Sequence, residues 1–205
     1  MARIDDYSNA KKIAVAKLME DEFKTIAQKS GLTSLDENTI RVDFLDRTYR
    51  IKYPSFDFED EAQDAKEIPL QEQVLILHYM LGCSARKIAG NWIAYREIPG
   101  AAFYFSAFVQ RAIDPLKKVF GTNADGIIKP ALALKGTAIE PGDAGFEFSI
   151  LPKTPMQLIL WEGDDEFPAE ANILFDKTAG EILSPEDAAW LAGMLVYRLI
   201  AISYR

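Results

Sequence analysis

Glu162, Asp164, Asp165, Glu166 and Glu170 place five carboxylates within residues 161–170, with no basic residue among them. Closely spaced carboxylate oxygens suit a hard divalent cation such as Ca²⁺ or Mg²⁺. On an extended segment alternate residues share a face, so Glu162 and Asp164 can converge, as can Asp164 and Glu166 across a tight turn. Glu162, Asp164 and Asp165 are therefore the candidate metal ligands. The stretch lacks the glycine and ligand spacing of an EF-hand loop. An acidic hairpin tip that serves solubility is the plainer alternative.

A second constellation is aromatic. Residues 92–108 hold Trp92, Tyr95, Phe103, Tyr104, Phe105 and Phe108, with Arg96 and Glu97 set among them. A planar ligand would find faces to stack on, and Arg96 has the fork that grips a carboxylate or phosphate. The candidate ligand-binding residues are Trp92, Tyr95, Arg96 and Glu97, with Trp161 and Glu166 from the acidic turn closing over them. The alternative is that these aromatics are core and that Arg96 pairs with Glu97 or with an acid of the 161–170 turn.

Two single residues complete the inventory. His78, in an apolar stretch, is a general-base candidate if a carboxylate orients it, and otherwise a hydrogen-bonded core histidine. Cys83 is a reactive thiol only if Arg86 or Lys87 lowers its pKa; otherwise it is a small buried residue at a corner. Glycine-rich phosphate motifs of the GxGxxG or GxxxxGK[ST] type are absent, and no catalytic residue is assigned.

The elements that must position these groups can be read from periodicity. Apolar spacing over residues 9–30, through Ile13, Ala16, Met19, Phe23 and Ile26, predicts an amphipathic helix stopped at Gly31. Thr39–Phe44 and Tyr49–Tyr53 alternate about a polar turn and predict a hairpin. Residues 55–67 carry six acids and one Lys with no apolar periodicity, which predicts a solvated acidic loop or loose helix. Pro69 opens a helix through Leu81 that is buried on several sides. Residues 91–100 alternate and then turn. A helix follows from about Ala102 to Ile113, with Asp114-Pro115 starting a continuation to Phe120. Asn123 caps a short helix through Leu134. Gly145–Leu151, Met156–Trp161 and Ala169–Phe175 are spaced as a meander, and Ser184-Pro185-Glu186-Asp187 starts the last helix. Hairpins and blocks of helices give an α+β class. The expected architecture is a single domain, residues 1–205, with one antiparallel sheet of about five strands. Several helices pack the sheet, and the apolar C-terminal helix is central.

Composition bounds the remaining classes. The chain has 205 residues, a formal charge of −8, 49% hydrophobic and 26% charged residues, one Cys and one His. The acidic balance argues against nucleic acid as a partner. That charge is concentrated: the segments 55–67 and 161–170 together carry eleven acids and one Lys, leaving the rest slightly basic. One Cys excludes an internal disulfide, a zinc–cysteine site and a cysteine-ligated iron–sulfur cluster. The start at Met1 has no apolar run behind Arg3, which with a lone Cys83 predicts a cytoplasmic protein. Ala188–Tyr204 is apolar apart from Arg198 but falls short of the about 20 residues a spanning helix needs, so no membrane association is expected.

The segments Leu75-Ile76-Leu77-His78-Tyr79-Met80-Leu81-Gly82, Trp92-Ile93-Ala94-Tyr95-Arg96-Glu97-Ile98-Pro99-Gly100 and Trp161-Glu162-Gly163-Asp164-Asp165-Glu166-Phe167-Pro168-Ala169 carry a resemblance. Together with Ile173-Leu174-Phe175-Asp176 and the helix after Ser184, they resemble the DUF3786 family, an uncharacterised domain family of anaerobic bacteria and archaea. The likeness runs over roughly residues 10 to 200, nearly the whole chain. Some proteins of that family carry an extra cysteine-rich iron–sulfur segment, which has no counterpart beside the lone Cys83. The resemblance implies a fold and little chemistry. The reading placed first is an accessory or small-ligand-binding protein with an aromatic pocket. The alternatives are a divalent-metal-dependent enzyme using the clustered carboxylates with Glu97 as base, and an interaction module for a basic partner.

Overall fold

The computed structural model describes residues 2–62, 64 and 67–205; Met1 and residues 63, 65 and 66 of the acidic segment lie outside the described residues. The protein is α+β with two antiparallel sheets, so the strands divide between two sheets where one was expected. The chain gathers into two compact units. The first holds the residues up to Lys87 together with Leu151–Lys153, and the second holds Ile88–Ile150 and Thr154–Arg205.

In the first unit, α1 (Ala2–Leu18) and α2 (Phe23–Ser30) stand where a single helix over 9–30 was expected. The break falls at Glu20-Asp21-Glu22 and re-aims the apolar face. Ala14 and Leu18 are buried in α1, and Phe23, Ile26 and Ala27 in α2, whereas Ile13 and Met19 of the expected stripe are exposed. Gly31 stops α2 as expected, in the left-handed conformation at φ 70°, and its N–H donates to the Ala27 carbonyl. A four-stranded sheet follows in chain order: β1 (Thr33–Ser34), β2 (Thr39–Phe44), β3 (Arg47–Lys52) and β4 (Asp57–Asp60). The predicted hairpin is β2–β3, with Ile40, Val42, Phe44, Tyr49 and Ile51 buried.

The strand β4 corrects the loop expected over 55–67. It pairs with β3 in the register Lys52↔Asp57 to Tyr49↔Asp60. Acids of β4 and of the residues just after it meet a basic neighbour strand: Lys52 is ion-paired to Glu59 and Arg47 to Asp60 within β4, and Arg50 to Glu61 and Arg47 to Asp64 beyond it. Cross-strand charge pairing therefore does here what apolar alternation does elsewhere. The helix α3 (Leu70–Gly82) packs against α1 and α2 and is buried on several sides, as expected.

In the second unit, β5 (Trp92–Ala94) leads through 3₁₀ turns at Tyr95–Glu97 and Ala101–Tyr104 into α4 (Phe105–Phe108), a π turn at Val109–Ile113 and α5 (Asp114–Phe120). The helical path is continuous here, so Asp114 does not cap a new start; its N–H donates to the Val109 carbonyl. Pro115 explains the π turn. It offers no N–H, and its ring crowds the carbonyl four residues earlier, that of Arg111, which the wider turn accommodates. The Asn123 side chain accepts from the Gly126 N–H and opens the 3₁₀ turn leading to α6 (Ile128–Ala133). Next come β6 (Thr137–Ala138), β7 (Ala144–Phe148), β8 (Met156–Trp161), β9 (Glu170–Asp176), α7 (Ala179–Ile182) and α8 (Pro185–Ser203). The sheet order is β5-β9-β8-β7-β6, with the expected meander at its centre.

The start of α8 is the one expected: the Ser184 hydroxyl accepts from the Asp187 N–H, and Pro185 takes the first turn. The helix packs against α4, α5, α6, α7 and the π turn, burying Leu191, Leu195, Val196 and Leu199. Among the described residues no helix is long and apolar enough to cross a membrane.

Candidate functional site

The acidic turn does not assemble a cation site. The Asp164 carboxylate accepts the N–H groups of Glu166 (2.8 Å) and Phe167 (2.7 Å), closing a local turn. Those bonds hold its pKa below the usual carboxylate value. The Glu162 carboxylate accepts from the Ala124 N–H at 3.2 Å, while Asp165 and Glu166 are exposed. Two of the three candidate ligands are thus drawn apart to separate backbone amides. Among the described residues no group of three or more His, Cys, Asp or Glu is placed to hold a metal ion.

The six candidate ligand-binding residues divide into two groups. Trp92 stands opposite Asp176 on β9, and Trp161 stands opposite Glu170 at the other end of the same strand. At about 3.4 Å per residue, those positions are roughly 20 Å apart, so the structure does not bring Trp161 and Glu166 over Trp92.

Around Tyr95 the aromatics do assemble. Its ring stacks on Phe108 with parallel planes and centroids 4.2 Å apart, and lies 6.0 Å from Phe175 and 6.4 Å from Phe105. The Tyr95 hydroxyl donates to the Pro185 carbonyl at 2.7 Å. Burial pushes its pKa up to about 12, against the pull of the nearby Arg111 cation. Tyr95 is therefore a core residue, not a free stacking face. Its neighbour Arg96 is exposed, with its guanidinium 3.7 Å from the centroid of Phe105. The pairing of Arg96 with Glu97 or with the acidic turn does not occur: among the described residues no acid is ion-paired with Arg96. The Glu97 carboxylate instead accepts the Ala94 N–H at 2.7 Å. Phe103, two residues before Phe105, is 93% exposed.

Two groups escaped the sequence reading. Asp176, fully buried at the end of β9, accepts the N–H groups of Ala89 (3.1 Å), Gly90 (2.6 Å) and Thr178 (2.9 Å), and also the Thr178 hydroxyl. Burial pushes its pKa up, but these bonds outweigh it and hold the carboxyl below its ordinary value. Arg111, in the π turn, sets its guanidinium 4.4 Å from the Trp190 ring centroid. Its Nη1 is buried, with no hydrogen-bond partner among the described residues. The one sequence signal for Arg111 is Pro115 four residues later.

The single-residue candidates lie in the first unit. His78 is half-buried on α3. Cys83 is buried, and burial pushes its thiol up to about 11 despite the Tyr79 hydroxyl and Lys153, which act the other way. Neither Arg86 nor Lys87 activates it, and at neutral pH it is a protonated thiol. Tyr79 is part of the scaffold: its hydroxyl donates to the Ser30 carbonyl (2.6 Å) and accepts the Lys153 N–H (3.1 Å).

The model of a family described as Domain of unknown function (DUF3786) matches residues 22–198. No curated protein and no solved structure matches the chain.

Proposed function

We propose, from the premise that the chain belongs to the DUF3786 family, that this protein binds a small ligand on the aromatic assembly of its second unit. The observation that supports this reading is the Arg96 guanidinium lying over Phe105 with no ion-pair partner among the described residues, Phe105 being two residues along the chain from an almost fully exposed Phe103. A cation held on an aromatic face keeps its N–H edge available, and neighbouring apolar rings supply dispersion for a planar group.

A thermal-shift screen of small planar compounds tests this reading. A true ligand at one hundred times its Kd stabilises the protein by roughly 2.7 kcal/mol. Arg96→Ala is expected to weaken such a ligand by about 1.5–3 kcal/mol, the range for hydrogen bonds made by a charged group. A hit whose affinity Arg96→Ala leaves unchanged removes the aromatic assembly as the site.

A further inference from the structure

The helix α8 is apolar on its outer face as well as its inner one. Leu191, Leu195, Val196 and Leu199 are buried against the rest of its unit. The opposite face of an ordinary surface helix is polar. Here Trp190 and Met194 are half-buried, Ala201 is exposed, and Tyr197 and Tyr204 are 57% and 78% exposed. These five are spaced four, three, four and three residues apart, so they line up as one stripe along the helix. That alternation is the spacing of a seam between two packed helices. Apolar residues scattered singly over a surface have no such order. The neighbouring helix α6 packs against α8 and exposes Ile128 and Leu132, one turn apart.

The charges along α8 say what the seam takes. Glu186 and Asp187 stand in its first turn, Arg198 lies beside the stripe in its second half, and Arg205 follows its end. A helix that complements this pattern runs antiparallel, basic where α8 begins and acidic where it ends. A second α8 turned about a two-fold axis is such a helix, and the contact is then the same surface on both chains. When the stripes meet in that orientation, Trp190 comes opposite Ala201 of the second copy, and Met194 opposite Tyr197 of the second copy. The largest ring of the stripe thus meets its smallest residue, and the acidic end of each helix meets the basic end of the other.

We propose that the outer face of α8 is a homodimer interface, on which a second copy of this chain docks its own α8 antiparallel. The inference goes beyond the ligand-binding reading and does not depend on it, since Arg96, Phe103 and Phe105 lie outside the stripe. One helix face and its flank form an interface at the small end of the specific range, roughly 1,200 Å² in total or less, so the dimer dissociates on dilution.

The test is sedimentation of the full chain over a range of concentrations. The mass is expected to rise from 23.0 kDa toward twice that value as the chain is concentrated. Tyr197→Glu should raise the dimer dissociation constant at least about tenfold, because it places a charge at the centre of the seam. Its melting temperature, extrapolated to dilute monomer, should stay close to that of the wild type. If Tyr197→Glu does not fold, Tyr204→Glu at the helix end decides. Orientation is read from charge reversal. Glu186→Lys in one chain, and Arg198→Glu with Arg205→Glu in another, should each weaken self-association about threefold or more at low ionic strength. Mixing the two chains should restore dimers of wild-type affinity, because each end then pairs opposite charges again. A mass of 23.0 kDa at every concentration overturns the proposal. So does a dimer that Tyr197→Glu and Tyr204→Glu leave unchanged, or a mixture of the reversed chains that fails to pair. A chain that stays monomeric and sediments with phosphatidylglycerol vesicles uses the stripe on a membrane surface, which also overturns it. Arg96→Ala should leave the mass unchanged, so loss of the dimer proposal leaves the ligand-binding reading standing, and the reverse holds.

Discussion

Asp176 is the residue whose removal the structure makes most consequential. A buried carboxylate that gathers backbone donors from two separate stretches, 89–90 and 178, ties the loop before β5 to the end of β9. Asp176→Asn keeps the shape but loses the charge-assisted bonds, and it is expected to destabilise the protein by about 1–3 kcal/mol at pH 7. The folded pKa is depressed, so this stabilisation is present above the unfolded value of about 3.9 and is lost as pH falls through the lower folded value. Urea unfolding at pH 7 and near pH 3 checks both statements: the gap between wild type and Asp176→Asn should be wide at pH 7 and narrow in acid. A gap independent of pH would mean that the bonds do not need the ionised form. Sequence could not single out Asp176, because the donors at 89 and 90 are far from it along the chain. The same limit applied to Tyr95. Its aromatic neighbourhood was legible, but its stacking on Phe108 and closeness to Phe175 on β9, which make it core, were not.

At the scale of elements, the tip between β8 and β9 is built on close backbone approach. The Gly163 N–H donates to the Gly121 carbonyl at 2.8 Å, and a Cβ on Gly163 would lie 2.5 Å from the Ala169 backbone nitrogen. Gly163→Ala must therefore push apart main-chain atoms that have no flexible side chain to yield. It is expected to destabilise by about 1–3 kcal/mol, read as a lower urea midpoint with an unchanged m-value. An unchanged midpoint would show that the tip relaxes freely. The elements that sequence revealed best are those whose signal is local. For α8 it is the Ser184-Pro185-Glu186-Asp187 start. For β2–β3 it is strict alternation. The strand β4 was missed because ion pairs to Arg47 and Lys52 of β3, rather than apolar residues, mark its register. The α1–α2 break was missed because the apolar spacing continues across Glu20-Asp21-Glu22 while the buried face does not.

For the whole molecule, the two-unit organisation was illegible because the boundary has no linker signature. The first unit reclaims Leu151–Lys153 from the middle of the second unit's sequence. Within the first unit, that returning segment supplies the Lys153 N–H to the Tyr79 hydroxyl and sets Pro152 3.5 Å from the Cβ position of Gly31. A fragment ending at Lys87 lacks both contacts. It is expected to melt at lower temperature and over a broader range than the first unit does in the full chain, measured by circular dichroism. Recovery of a sharp transition on adding a peptide spanning 148–156 would identify the missing piece, and a fragment that melts sharply by itself would refute the dependence. The returning segment also fixes a timetable for synthesis. The ribosome must make everything from Ile88 to Ile150 before the last strip of the first unit exists. At roughly 5–20 residues per second, this leaves an incomplete N-terminal unit waiting for several seconds. Through that interval the Tyr79 hydroxyl lacks the Lys153 N–H it accepts in the finished unit, so the folding order cannot simply run from N-terminus to C-terminus.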